Sequence, residues 1–193
     1  MKKLLLSLLI CSSLCFTAEA QSKFSLGPNA GVGHSWISNT ENAKFKLAAN
    51  AGLSLVYSAA EHFGIGLDAK YSYEGVKGSG SNNSLDLNYF RFPLKAIYFF
   101  NDHGDKLRPK IFAGPSFGFL SSAKRDNTDI KNSFNSSDFA ITAGAGFNYR
   151  LVRNSWFNAD INYLHGISDI TKSSPDENHN RNVGINVGVN FGL

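Results

Sequence analysis

Apolar and polar side chains alternate strictly along the last stretch of the chain. Val183, Ile185, Val187, Val189, Phe191 and Leu193 interleave with Asn182, Gly184, Asn186, Gly188, Asn190 and Gly192. Successive strand side chains point to opposite faces, so this stretch is a strand with one apolar face and one small, polar face. The same period of two marks seven more segments: 24–36, 44–57, 63–74, 85–100, 108–120, 139–150 and 157–166. The fourth is the least clean, because both parities are apolar in places. If Arg91 and Lys95 face inward, Phe90, Phe92, Leu94, Ala96 and Tyr98 face outward.

Eight such strands predict an all-β chain, an eight-stranded antiparallel up-and-down β-barrel. The polar stretches between them are expected loops, chiefly 75–84, 121–137 and 169–181. The connections after odd strands are mostly longer than those after even ones, which matches long external loops and short periplasmic turns. The apolar face is almost unbroken. It carries Trp36, Tyr57, Tyr71, Tyr73, Tyr98, Tyr149, Trp156, Phe157 and Tyr163 toward strand ends, as two interfacial aromatic girdles would. Together these features place the apolar face against lipid and make the barrel transmembrane. A secreted, lipocalin-like barrel binding an apolar ligand is the soluble alternative, and it turns the sheet inside out. Pro93 and Pro115 each remove a ladder donor and are expected to mark bulges.

On the inward face, Asp68, Lys70, Glu74, Arg91, Lys95, Lys110 and Asp160 are expected to form a polar network that fills the lumen. Glycines on that face also allow a narrow pore for small solutes. Phe191, on the apolar face with Val189 and Leu193, is placed to act in a C-terminal assembly signal read by the barrel-assembly machinery.

Residues 1–20 read as a cleaved signal peptide: Lys2 and Lys3, an apolar run from Leu4 to Phe16, then Ala18-Glu19-Ala20. The barrel domain is then 21–193. Both cysteines, Cys11 and Cys15, lie in the signal; Ile10 and Leu14 before them are wrong for lipidation, which leaves a cysteine-free mature chain. Removing Lys2, Lys3 and Glu19 leaves 17 basic and 14 acidic side chains, a net charge of +3 without a basic run. That excludes a nucleic-acid partner by pattern.

Three segments carry a family resemblance: Tyr89-Phe90-Arg91-Phe92-Pro93-Leu94, then Gly114-Pro115-Ser116-Phe117-Gly118, then Gly144-Ala145-Gly146. In that order they resemble the "YxxxPL", "GPxxG" and "GxG" strands of PorT-like outer-membrane β-barrels of gram-negative bacteria. The resemblance implies an outer-membrane location and lipid surroundings. It also implies a structural, surface-binding or secretion-associated role with a protein partner of unnamed kind. Pro93 and Pro115 fall on motif positions.

Candidate chemistry is thin. His165, Ser168 and Asp169 are the nearest approach to a hydrolase set, but an offset of three residues puts His165 and Ser168 on opposite faces of a strand. Asp176, Glu177 and His179, and Asp126 with Asp129, lack the spacing of a cation loop. His34, His62 and His103 stand alone in sequence. The expectation is a non-enzymatic protein with no cofactor and no metal.

Overall fold

The computed structural model describes residues 23–39, 45–78, 84–172 and 176–193; the expected signal lies outside them. Eight long strands build the barrel: β1 (Phe24–Ile37), β2 (Lys46–Ser58), β3 (Phe63–Lys77), β4 (Ser84–Phe99), β5 (Leu107–Arg125), β7 (Ser137–Val152), β8 (Ser155–Gly166) and β9 (Asn180–Gly192). A two-residue strand, β6 (Thr128–Asp129), pairs with β5 outside the wall. The order is β4-β3-β2-β1-β9-β8-β7-β5, and pairing of β4 with β5 closes the ring. All neighbours run antiparallel. The molecule is a closed eight-stranded up-and-down barrel.

Strand alternation explains the facing. Val32, Leu47 and Ile161 are 62%, 66% and 60% exposed, whereas Leu87, on the inward parity of β4, is fully buried. Outward aromatic side chains cluster at both ends of the strands. At the end holding both termini, Phe24 lies 4.7 Å from Tyr57, and Tyr98 lies 5.3 Å from Phe100. At the far end, Trp36 lies 5.2 Å from Phe45 and 6.2 Å from Tyr163. Rings with an apolar body and a polar edge favour bilayer interfaces, so these rows mark the two membrane surfaces. An exposed apolar belt of this size overturns the soluble alternative, whose outer face would have been the polar one. Trp156 departs from expectation. It shares the inward parity of Asn158 and meets His103 edge-on at the end that holds the termini.

The prolines do not mark bulges. The β4–β5 register is the same on both sides of Pro93 and Pro115, from Pro93↔Ser116 to Ala96↔Ala113. The register shifts instead at Asn88/Tyr89, where Ser121 is the extra residue. Gly114 explains how the ladder tolerates the gap. A Cβ there would collide with the Leu94 carbonyl, so glycine lets the two backbones close up beside the donor that Pro115 lacks.

Two expected loops are shorter than the sequence suggested. Strand β3 runs on to Lys77, and β5 runs on to Arg125 before a tight turn at Asp126 and Asn127, both at positive φ. Asp-Asn at that spot is a two-residue hairpin signal that polarity alone concealed.

An outward-facing charge at mid-strand would face hydrocarbon. Ile185→Arg is expected to lower barrel stability by about 2–4 kcal/mol in denaturant titrations in lipid vesicles. An unchanged unfolding midpoint would mean that this face does not meet lipid.

Candidate functional site: the lumen and its outer lid

The inward positions of β4, read from the end with the termini, give the layers of the interior: Phe99, Ile97, Lys95, Pro93, Arg91, Tyr89, Leu87, Leu85. Each layer takes its chemistry from the facing strands. The lowest is apolar and tight. Ile97, Phe99 and Phe112 pack with Val56, and the Arg108 guanidinium lies 4.0 Å over the Phe99 ring. Phe112 lies over its direct partner on β7, Gly144, where a Cβ would lie 2.5 Å from its ring. The "GPxxG" and "GxG" strands are therefore neighbours whose glycines make room for inward side chains of β5, with Lys110 opposite Gly146.

Above it lies the first ionic layer. Asp68 accepts from Lys95 Nζ at 2.8 Å and from Ser54 Oγ at 2.8 Å, and it lies 3.2 Å from Lys70 Nζ. Lys110 Nζ approaches Asp160 to 2.9 Å, as a charge contact off the hydrogen-bonding direction. The second ionic layer centres on Arg91. Its Nη2 donates to Glu74 at 2.7 Å and to Asp138 at 2.6 Å, while the guanidinium lies 4.7 Å over the Tyr89 ring. Ser72 Oγ donates to Glu74, and Asn180 Nδ2 donates to Asp138 and to the Tyr89 hydroxyl.

The seven residues expected in the lumen thus all face it and fall into two clusters. Asp138 is the member that sequence reasoning missed. The seven comprise four cations and only three carboxylates; adding Asp138 gives four of each. An uncompensated buried charge is costly, so the imbalance was itself the signal that one acid was lacking. Asp138 also shares the inward parity of Ala140 and Thr142 in β7. What space remains is a cavity of about 40 Å³ between Asn29, Lys70, Lys110, Asp160 and Asn186. That is room for water, and too little for a solute.

The far end of the lumen is closed by apolar side chains. Val76, Leu85, Leu87, Tyr89, Leu120 and Ala123 form a cluster with Ile37. Two of its members come from loops: Phe134, after β6, and Ile170, after β8. Their backbones are tied, since Phe134 bridges to Thr171 and Asn135 N donates to the Ile170 carbonyl at 2.9 Å. Asp169 holds the second loop in shape, accepting from Thr171 N, Thr171 Oγ1 and Asn178 N at 2.9–3.0 Å. Partial burial raises its pKa, but these donors outweigh that and hold it below the ordinary carboxylate value. At the rim, Lys46 and the Tyr73 hydroxyl both contact Asp86.

The remaining candidates occupy surface positions. His165 points outward beside Tyr163, while Ser168 donates to Asp138, so no hydrolase set assembles. Asp126 accepts from Ser84 N and Asp129 from Lys131 N, as turn caps. His179 lies 3.6 Å from Glu177 and contacts the Ser168 carbonyl. His62 is not isolated: its Nε2 lies 3.5 Å from Asp102, and with Glu61 the three bring ligand atoms within 4.8 Å of one another. Both carboxylates are exposed, and Arg108 donates to the Glu61 carbonyl beside them. This is a surface ion-pair cluster at the turns. In the β4–β5 turn, burial and then the Arg108 charge push the His103 pKa below its ordinary value. Val189 is half-buried at the lipid face, where Phe191 and Leu193 are 44% and 47% exposed.

Comparison with known proteins agrees with this architecture. Neisserial surface protein A is 17% identical and superposes with a TM-score of 0.65, over 91% of this chain and 100% of that one. OprG from Pseudomonas aeruginosa is 16% identical with a TM-score of 0.57, over 88% and 95%. The E. coli outer membrane protein W is 13% identical with a TM-score of 0.55, over 91% and 100%. At these identities the likeness is one of fold. No curated protein matches the chain. The outer membrane protein beta-barrel domain family matches residues 4–191. The chain belongs to that family and is an outer-membrane β-barrel protein.

Proposed function

We propose that this protein is a closed, non-enzymatic barrel of PorT-like type whose lumen is a structural core and whose external loops carry its contacts. The observation that supports this most is the succession of fillings along one axis. An apolar layer, two ionic layers and a loop-built apolar lid occupy the interior, and a cavity of about 40 Å³ lies among them. The PorT-like reading rests on the three motif segments, which fall on the adjacent strands β4, β5 and β7 and serve their close packing. With the lumen filled, the surface left for recognition is the external rim, and the partner is a surface or secretion-associated protein. The narrow pore is the competing reading. Planar-bilayer recordings are expected to show no steady single-channel conductance; a reproducible open level would sink the closed form.

The ionic layers then act through balance. Arg91→Met strands Glu74 and Asp138 together and is expected to destabilise the barrel by about 3–5 kcal/mol in urea titrations. A loss under 1 kcal/mol would show that Arg91 does not hold the two acids.

Phe191 is assigned to the assembly signal, with Val189 and Leu193. It lies on the lipid face of the closing strand and pairs across to Leu26. Phe191→Ala is expected to reduce the heat-modifiable, membrane-inserted fraction several-fold in cells, while the protein still refolds in detergent. Equal insertion in cells would remove Phe191 from that role.

A further inference from the structure

We infer that a basic, aromatic patch on the outer surface of β8, β9 and β1 binds the phosphate of an anionic lipid headgroup in the external leaflet. The register aligns the patch. His165 of β8 is the direct partner of Arg181 in β9, and Arg181 is the direct partner of Trp36 in β1. All three share the outward parity of their strands, and Phe45 continues the row beside Trp36. One step deeper, His34 of β1 sits between Val183 and Leu47.

Charge distribution makes this sector unlike the rest of the belt. On the outward faces of β2, β3, β4, β5, β7 and β8, the positions between the girdles carry Leu, Ile, Ala, Phe, Tyr and Pro. Among the described residues, the basic side chains on the outward face below the loop rim are His34, His165 and Arg181, all in three adjacent strands. No carboxylate among the described residues pairs with Arg181. An arginine turned toward lipid costs least at the interface, where its head can meet anionic headgroups.

Local geometry presents the donors. Arg181 Nη1 lies 2.5 Å from His165 Nδ1 and 3.2 Å from the Tyr163 hydroxyl. Arginine cannot accept a proton, so it donates to the imidazole, whose Nε2 also lies 3.3 Å from the same Nη1. The contact also holds the guanidinium against the wall. A guanidinium offers a two-nitrogen edge that matches a phosphate bidentately, and Trp36 and Tyr163 flank it with ring faces suited to the acyl–headgroup boundary. The occupant this chemistry fits is a phosphorylated lipid, with its headgroup on Arg181 and His165 and its chains along Val183 and Leu47.

The test uses full chain extracted from outer membranes in detergent. Native mass spectrometry would follow retention of added phosphatidic acid and of phosphatidylcholine, with inorganic phosphate as competitor. Phosphatidic acid is expected to be retained about tenfold better than phosphatidylcholine, the scale of one charge-assisted hydrogen-bonded contact. Arg181→Gln is expected to abolish that preference while the heat-modifiable gel shift remains. Arg181→Lys is expected to keep a weaker preference. Should Arg181→Gln fail to insert, that graded loss decides, and a Lys variant identical to the parent overturns the site. Equal retention of both lipids, or of phosphatidic acid by Arg181→Gln, overturns it as well. Displacement by an equal concentration of inorganic phosphate would assign the patch to a soluble anion and overturn the lipid.

Discussion

Backbone amides cannot go unpaired in hydrocarbon, and every other feature of this protein follows from that. Each strand must find two neighbours, so the sheet must close, and the first strand, β1, meeting the last, β9, completes the ring. Closure at eight strands sets a lumen only wide enough for side chains to fill. Pro28 withholds its donor from β9, Pro93 from β3 and Pro115 from β4, and ladder pairs are missing at each of these places. The register there is unbroken, and Gly114 draws the strands together around the gap at Pro115. A proline that looks like a defect in a paired strand is thus compatible with closure.

Filling a narrow lumen with charged groups raises a second constraint, since a buried ion without a partner is costly whereas a paired one is close to neutral. The two ionic layers meet it by count and by placement, and Arg108, buried below them, donates to the Asn101 and Glu61 carbonyls instead. Four cations and four carboxylates divide into one layer around Asp68 and another around Arg91. Their partners come from β3, β4, β5, β7 and β8, so the pairs also tie together strands that share no ladder. Arg91 alone joins Glu74 of β3 to Asp138 of β7.

The external end is built differently because its loops are long enough to fold back. Phe134 and Ile170 enter an apolar cluster that strands β3, β4 and β5 extend above the bilayer to supply. Burying large apolar groups there seals the lumen and leaves the polar parts of the same loops outside. Under the proposed function, recognition is confined to surfaces: the loop rim above the membrane and the lipid-facing wall within it. The wall is not uniform. Its basic side chains gather on β8, β9 and β1, beside the girdle residues Trp36, Phe45 and Tyr163.

Alternation with a period of two was enough to determine eight strands, their facing and the inversion of apolar and polar faces, because strand geometry makes parity a local property. The eight strands appear with boundaries close to those expected, and even the ambiguous β4 takes the facing implied by Arg91 and Lys95. Local pattern also placed seven ionic side chains in the lumen. It could not pair them, since shear between strands decides which layers meet, and it passed over Asp138, whose strand it began two residues too late. Tertiary structure alone decided the bulge at Ser121, whereas alternation with Asn158 already gave Trp156 its inward parity. Tertiary structure also decided the loop lid, because Phe134 and Ile170 lie far apart along the chain and become neighbours only once the barrel closes. The meeting of His165 with Arg181 belongs to the same class. Parity puts both on the outer face, but the register of β8 on β9 sets them side by side.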